Sequence, residues 1–158
     1  MGSEAVILVG IQATGKSSFY RERFFHSHVR VNRDMLRTRH RERLLIDACI
    51  AGKQAFVFDN TNPTPAERQR TIVPARAAGF RVVGYFFKSA IVPALARNAG
   101  REGAARIPER GIRGTRARLV LPSLGEGFDA LYFVEIADAA ADAGAGLGFR
   151  VEEWRDEV

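Results

Sequence analysis

The stretch Gly10-Ile11-Gln12-Ala13-Thr14-Gly15-Lys16-Ser17 obeys G-x-x-x-x-G-K-[ST], the phosphate-binding loop. An apolar run, Ala5-Val6-Ile7-Leu8-Val9, precedes it and reads as a buried strand. Ser17 through Phe25 follows and reads as a helix. A strand, a glycine loop and a helix in that order leave few folds open. Gly10 and Gly15 allow backbone conformations closed to residues with a Cβ, so successive N–H groups can converge on phosphate oxygens. The helix N-terminus adds unpaired donors and partial positive charge. Ile11, Gln12, Ala13, Thr14 and Ser18 complete the cradle. Lys16 is placed to reach the β- and γ-phosphates of ATP, and the Ser17 hydroxyl to ligate Mg²⁺. Ala13 and Thr14 make this loop stiffer than a more glycine-rich one.

Strand and helix signals alternate beyond that point. Strands are expected at 28–32, 55–59, 81–87 and 131–136. Helices are expected over about 34–51 (ending at Gly52), 65–78, 90–99 and 108–119. This alternation implies an α/β fold of the P-loop NTPase or kinase type. About five parallel strands would be flanked by helices, with ligands at the carboxyl ends of the strands. Gly10–Ser17, Asn32–Asp34 and Asp59–Asn62 then share one rim. Residues 1–136 read as a single domain. Residues 137–158 read as an Ala/Gly-rich extension packing on or trailing it, with a linker at 137–148 and a short edge strand near 149–154.

Three groups on that rim carry chemistry. Asp59 closes an apolar strand ahead of Asn60-Thr61-Asn62. It is placed to hold Mg²⁺ or its water shell, and equally to cap a turn. Asp34 suits the carboxylate that accepts a proton from an acceptor hydroxyl. It also suits the N-cap of the helix it opens, and the two roles are compatible. Arg37, one helical turn on, is expected on the same face. There it either grips a phosphate beside the acceptor or is a solvated charge. The Gly- and Arg-rich stretch at about 97–118 has the composition of a lid. Arg97 and Arg101 are its best-placed arginines for ATP, and Arg101 for the transferring phosphoryl group.

Charge bears on the acceptor. The 158-residue chain carries a net charge of +6, and of its 24 basic residues only Lys16, Lys53 and Lys88 are lysines. Arginines cluster at 30–43 and at 97–118, which suits a partner with several phosphates. Arginine bias of the source is the competing explanation. A lone Cys49 in an apolar run reads as a buried thiol and fits a reducing cytoplasm. No bilayer span, signal peptide or obligate protein partner is expected. His26, His28 and His40 lack metal-ligand spacing.

In these pieces the chain resembles the 5′-hydroxyl polynucleotide kinases, the P-loop kinase module of phage-type and animal end-healing enzymes. The matching stretches are Val9 to Phe19, Val31-Asn32-Arg33-Asp34-Met35-Leu36-Arg37 and Asp59-Asn60-Thr61-Asn62-Pro63. Ala75 to Gly79, Arg97-Asn98-Ala99-Gly100-Arg101 and Glu126-Gly127-Phe128-Asp129 also match. Together they span about 5–136 in the family's order. The resemblance implies transfer of the γ-phosphate of ATP to the 5′-OH end of DNA or RNA. Asp34 would be the general base and Arg37 a ligand of the acceptor's neighbouring phosphate. Asp59, Thr61 and Asn62 would lie on the substrate side, with Asp59 supporting the metal, and Arg101, assisted by Arg97, would serve as the lid arginine. No aspartate-nucleophile motif of the family's phosphatase domain occurs in this sequence, so 3′-end removal is not expected. The alternatives are a P-loop kinase acting on a small metabolite, nucleoside or antibiotic, and an ATP-binding switch without phosphotransfer.

Overall fold

A computed structural model describes residues 3–137 and 148–155. Its centre is β1 (Glu4–Val9), whose Ala5 to Val9 are fully buried. A strand apolar on both faces must be covered on both faces, and the topology does this. The sheet has six strands in the order β2 (Val29–Val31), β3 (Phe56–Asp59), β1, β4 (Arg81–Phe87), β5 (Ala130–Ile136) and β6 (Phe149–Glu153). The first five are parallel, and β6 runs antiparallel to β5.

Helix α1 (Lys16–Arg23) covers one face, packing Phe19, Tyr20 and Phe24 on Val6, Leu8 and Phe87. The opposite face is covered from the chain's middle. There Ile46 and Cys49 of one helix and Ile72 and Ala75 of another meet Ile7, Val9 and Phe56. Cys49 is thus a buried free thiol whose pKa burial pushes up. Gly84 on β4 has no room for a side chain, because a Cβ would lie 2.7 Å from Leu131 and Phe128.

One expected helix is two. The segment 34–51 divides into α2 (Arg33–Leu36) and α3 (Arg39–Ala51). Two side-chain caps compete for it. Asn32 Oδ1 accepts from Met35 N–H at 3.1 Å and Thr38 Oγ1 from Arg41 N–H at 3.1 Å. Between them Arg37 adopts φ 77°, which ends the first helix. Asn32, not Asp34, is therefore the N-cap. Arg37 also does not continue Asp34's helical face as the spacing suggested.

Helix α4 (Pro65–Ala77) starts on the Thr64 cap and contains Pro74. Pro74 has no N–H, so the carbonyl of Arg70 loses its helical donor. Arg43 Nη2 from α3 donates to that carbonyl at 2.7 Å, which locks α3 to α4. Helices α5 (Ile91–Ala99) and α6 (Glu109–Arg118) form a third layer through Ala94 and Ile112, packed on Ile11 and Ala13 of the glycine loop. The loop between them is tied down by Asn98, which donates to Ile107 O at 2.6 Å and accepts from Ile107 N–H at 2.8 Å.

The expected linker at 137–148 falls almost wholly outside the described residues. Beyond it, Phe149 opens β6 and packs against Phe19 and Phe87. Among the described residues no helix is long and apolar enough to cross a membrane.

Candidate phosphate-transfer site

The glycine loop is held by four partners. Gly10 N–H donates to Thr61 O at 2.9 Å, and Ile11 N–H to Ser89 Oγ at 3.1 Å. Gln12 Nε2 donates to Thr115 Oγ1 at 3.0 Å, which ties the loop to α6. Arg97 Nη1 donates to Ala13 O at 2.7 Å, which ties it to α5. Ala13 sits at φ 62°, so the stiffness expected of Ala13-Thr14 takes the form of a non-glycine residue held in left-handed space. Gly15 has φ 95°, and a Cβ there would meet Phe149 at 2.9 Å. The C-terminal strand thus supports the back of the cradle.

Lys16 is 8% exposed and donates to Ile11 O at 2.6 Å. Burial lowers its pKa from the ordinary 10.5 to about 8. Asp59 and Asp34 pull the other way, and Arg101 adds to the lowering. Burial, reinforced by Arg101, likewise lowers the pKa of Arg97. Arg101 is close enough to repel both Lys16 and Arg97, the arrangement expected where an anion is to be received.

Asp59 ends β3 and is 1% exposed. Its Oδ2 accepts from Ser17 Oγ at 3.0 Å and from Arg30 Nε at 2.8 Å. Asn32 Nδ2 donates to Asp59 O at 2.6 Å, linking the two strand ends. Asn60 joins the same rim. Its Oδ1 accepts from Arg33 N–H at 3.0 Å and its Nδ2 donates to Glu42 Oε2 at 2.7 Å, while Glu42 is also paired with Arg33. Asn62, at φ 44°, donates to Leu8 O at 2.8 Å. Arg68, fully buried, donates to Asn62 O at 2.9 Å and forks onto both oxygens of Glu126.

A cavity of about 1210 Å³ opens over this rim. Gln12, Ala13, Gly15, Lys16, Ser17 and Ser18 line one end, and Arg101 lines the same cavity. Asp59, Thr61, Asn62 and Asp34 line it as well. Gly10, Ile11, Thr14, Arg37 and Arg97 are not part of the lining. Ile11 and Thr14 are buried behind the loop, and Arg37 is exposed at the α2–α3 break. Asp34 is solvent-exposed. Arg30, Glu42, Arg68 and Ser89 were not singled out by sequence reasoning. Their partners lie far along the chain, and no local pattern marks them.

The oxygen pair of Ser17 and Asp59 suits a hard cation such as Mg²⁺. No group of three or more His, Cys, Asp or Glu residues poised to hold a metal occurs among the described residues. The donor set therefore fits an ion that takes most of its ligands from phosphates and water.

No protein-family model matches the chain. By sequence it is 27% identical over 129 residues to the bifunctional polynucleotide phosphatase/kinase of Schizosaccharomyces pombe. That match covers 79% of this chain and 32% of the relative, so the chain spans about a third of that protein's length. By structure it is similar to a gluconokinase from Sinorhizobium meliloti (TM-score 0.62, 14% identity, 89% of this chain and 86% of the other). It is also similar to Chaetomium thermophilum Kti12 in complex with ADP-AlF3 (TM-score 0.61, 14% identity, 87% and 92%). The fold is the α/β P-loop fold that these structures share. A third similar structure comes from the PezAT chromosomal toxin-antitoxin system of Streptococcus pneumoniae (TM-score 0.60, 12% identity, 84% and 68%).

Proposed function

We propose that the chain is an ATP-dependent kinase that transfers the γ-phosphate to the 5′-OH end of DNA or RNA. The observation that carries this reading is that Lys16 and Asp34 line one cavity. A buried cation for the donor phosphates and an accessible carboxylate for the acceptor hydroxyl are the two groups such a transfer needs. Arg39, Arg43, Arg70 and Arg118 extend the lining beyond Asp34, which favours an acceptor with further phosphates. The sequence relative in fission yeast supports the same acceptor.

In this reading the loop backbone and Lys16 hold the β- and γ-phosphates. Asp34 accepts the proton of the 5′-OH as that oxygen attacks. Arg101 steadies the charge on the transferring phosphoryl group, and Arg37 takes the neighbouring phosphate. Thr61 and Asn62 lie on the substrate side. Ser17 would ligate Mg²⁺ and Asp59 would hold its water shell, and the ion would supply charge neutralisation across the phosphates.

A second reading, a kinase for a small hydroxylated acceptor, is favoured by the likeness to a gluconokinase over nearly the whole length of both chains. Incubation with γ-labelled ATP, Mg²⁺ and a panel of acceptors separates the two. The panel holds 5′-OH DNA and RNA oligonucleotides, 3′-phosphorylated mononucleotides, sugars and nucleosides. Label on oligonucleotide 5′ ends, absent with Lys16→Ala and Asp34→Asn, is the expected result. Label only on a small molecule replaces the first reading with the second. ATP binding without label on any acceptor leaves a nucleotide-dependent switch.

A further inference from the structure

Arg30 stands outside every role assigned so far. It is the middle residue of β2, the strand at the sheet edge. Side chains alternate along a strand. Val29 and Val31 pack in the core under α3 and α4, which sends Arg30 to the α1 face. There its guanidinium is held on two sides. It lies 5.9 Å from the Tyr20 ring centroid, and the Tyr20 hydroxyl is itself fixed by donating to His28 O at 2.6 Å. On its other edge Nε donates to Asp59 Oδ2 at 2.8 Å and Nη2 to Ser17 Oγ at 2.9 Å. Ser17 Oγ therefore accepts from Arg30 and donates to Asp59, closing a three-membered polar ring.

The charges in that ring decide its behaviour. Asp59 is almost wholly buried, and a buried carboxylate without a partner strongly disfavours any anion brought beside it. Arg30 cancels that charge from beneath: it touches Ser17 and Asp59 but does not line the cavity they face. Triphosphate oxygens approaching Ser17 then meet a neutral pair with a lysine behind it. We propose that Arg30 is a resident cation of the nucleotide site, a positioning residue that lets nucleotide bind with little help from a divalent ion. The ion is left to serve the transfer step and not the binding step. The inference rests on the nucleotide reading of the cavity and adds an assignment for Arg30.

The test compares the affinity for a fluorescent ATP analogue in EDTA and in saturating Mg²⁺, for the native chain, Arg30→Gln and Arg30→Lys. Gln retains a donor within reach but no charge; Lys retains the charge without the fork. Expected for the native chain is less than a tenfold gain from Mg²⁺. In Arg30→Gln the EDTA affinity falls at least fivefold and Mg²⁺ restores it to within twofold of native, so the gain from Mg²⁺ widens. Arg30→Lys keeps the native gain to within about twofold. Equal weakening of Arg30→Gln in both buffers, or no change in either, overturns the proposal, because a purely structural ion pair does not distinguish the two. Should Arg30→Gln melt below assay temperature, Arg30→Lys decides alone: a gain widened fivefold overturns the charge argument. A native chain that binds no nucleotide in either buffer overturns both this inference and the kinase reading. A native chain that binds nucleotide without Arg30 mattering overturns only this one.

Discussion

The two ends of the cavity are built differently. At the glycine-loop end Lys16 and Asp59 are buried and engaged: Lys16 on Ile11 O, Asp59 on Ser17 and Arg30. At the other end Asp34 is exposed on a four-residue helix, and Arg37 is exposed at the break that follows it, outside the lining. The first end is fixed by the fold before anything binds, so binding there loses little side-chain freedom. The second end lies on the surface, where exposed side chains lose freedom only when a ligand engages them. Hence substitutions at the loop end should act on both stability and nucleotide binding, whereas those at the Asp34 end should act on turnover and on the acceptor and leave stability and nucleotide affinity alone.

Asp34→Asn is the sharpest probe of that division. Removing a general base lowers the rate on the order of 10²–10⁴-fold. Nucleotide affinity and melting temperature should stay at native values, because the side chain is solvent-exposed. Single-turnover kinetics with a binding isotherm checks this. A nucleotide affinity that falls along with the rate would dissolve the distinction between the ends.

Arg68→Ala probes the rim from beneath. The guanidinium is fully buried and bonds Glu126, Asn62 O and Val120 O. Leaving Glu126 without its partner should destabilise the fold by roughly 3–5 kcal/mol, read by denaturant unfolding. Because Asn62 in turn donates to Leu8 O at the end of β1, the loss should also weaken nucleotide binding.

Arg68 also shows where sequence reasoning stops. The glycine loop was readable because its chemistry is local: eight consecutive residues set strand, turn and helix. The α/β class and the three rim segments followed from the alternation of elements. Arg68 meets Glu126 across 58 positions and Arg30 meets Asp59 across 29, so both look like surface charges until the chain is folded. The break between α2 and α3 is an intermediate case. Asn32 and Thr38 are both good N-cap residue types, so the sequence carries a signal for two helices where a single one over about 34–51 is expected. Asp34 lines the cavity together with the glycine loop and the end of β3, and the cap of its helix is Asn32.

Lys16→Met separates stability from binding at the loop end. Burial lowers the Lys16 pKa to about 8, below its unfolded value near 10.5. Below pH 8 the native state carries a buried ammonium that the unfolded chain solvates freely, so the lysine destabilises the fold there. Between pH 8 and 10.5 the unfolded chain binds more protons, and native stability rises with pH until the penalty is gone. Lys16→Met should therefore be more stable than the native chain at pH 7, by up to roughly 3 kcal/mol. That advantage should shrink toward pH 10.5, while nucleotide affinity is lost at all pH values. Native affinity should itself weaken as pH rises through about 8, where Lys16 loses its proton. A variant less stable than native at pH 7 would mean that the bond to Ile11 O outweighs the desolvation.

The smallest effect concerns the exposed end. Arg39 and Arg70 line the cavity beyond Asp34, are exposed, and form no ion pair among the described residues. A charge of this kind acts on a polyanion through counterion release, so its contribution is sequence-independent and fades with salt. Arg39→Gln and Arg70→Gln should each weaken binding of a 5′-OH oligonucleotide modestly. Each should make the slope of log K against log salt shallower by about 0.7–0.9. Neither should alter nucleotide affinity, since the loop end is fixed by its own hydrogen bonds. If the slopes are unchanged while binding persists, the acceptor does not run along α3 and α4, and the exposed end recognises a small molecule by contacts at Asp34 alone.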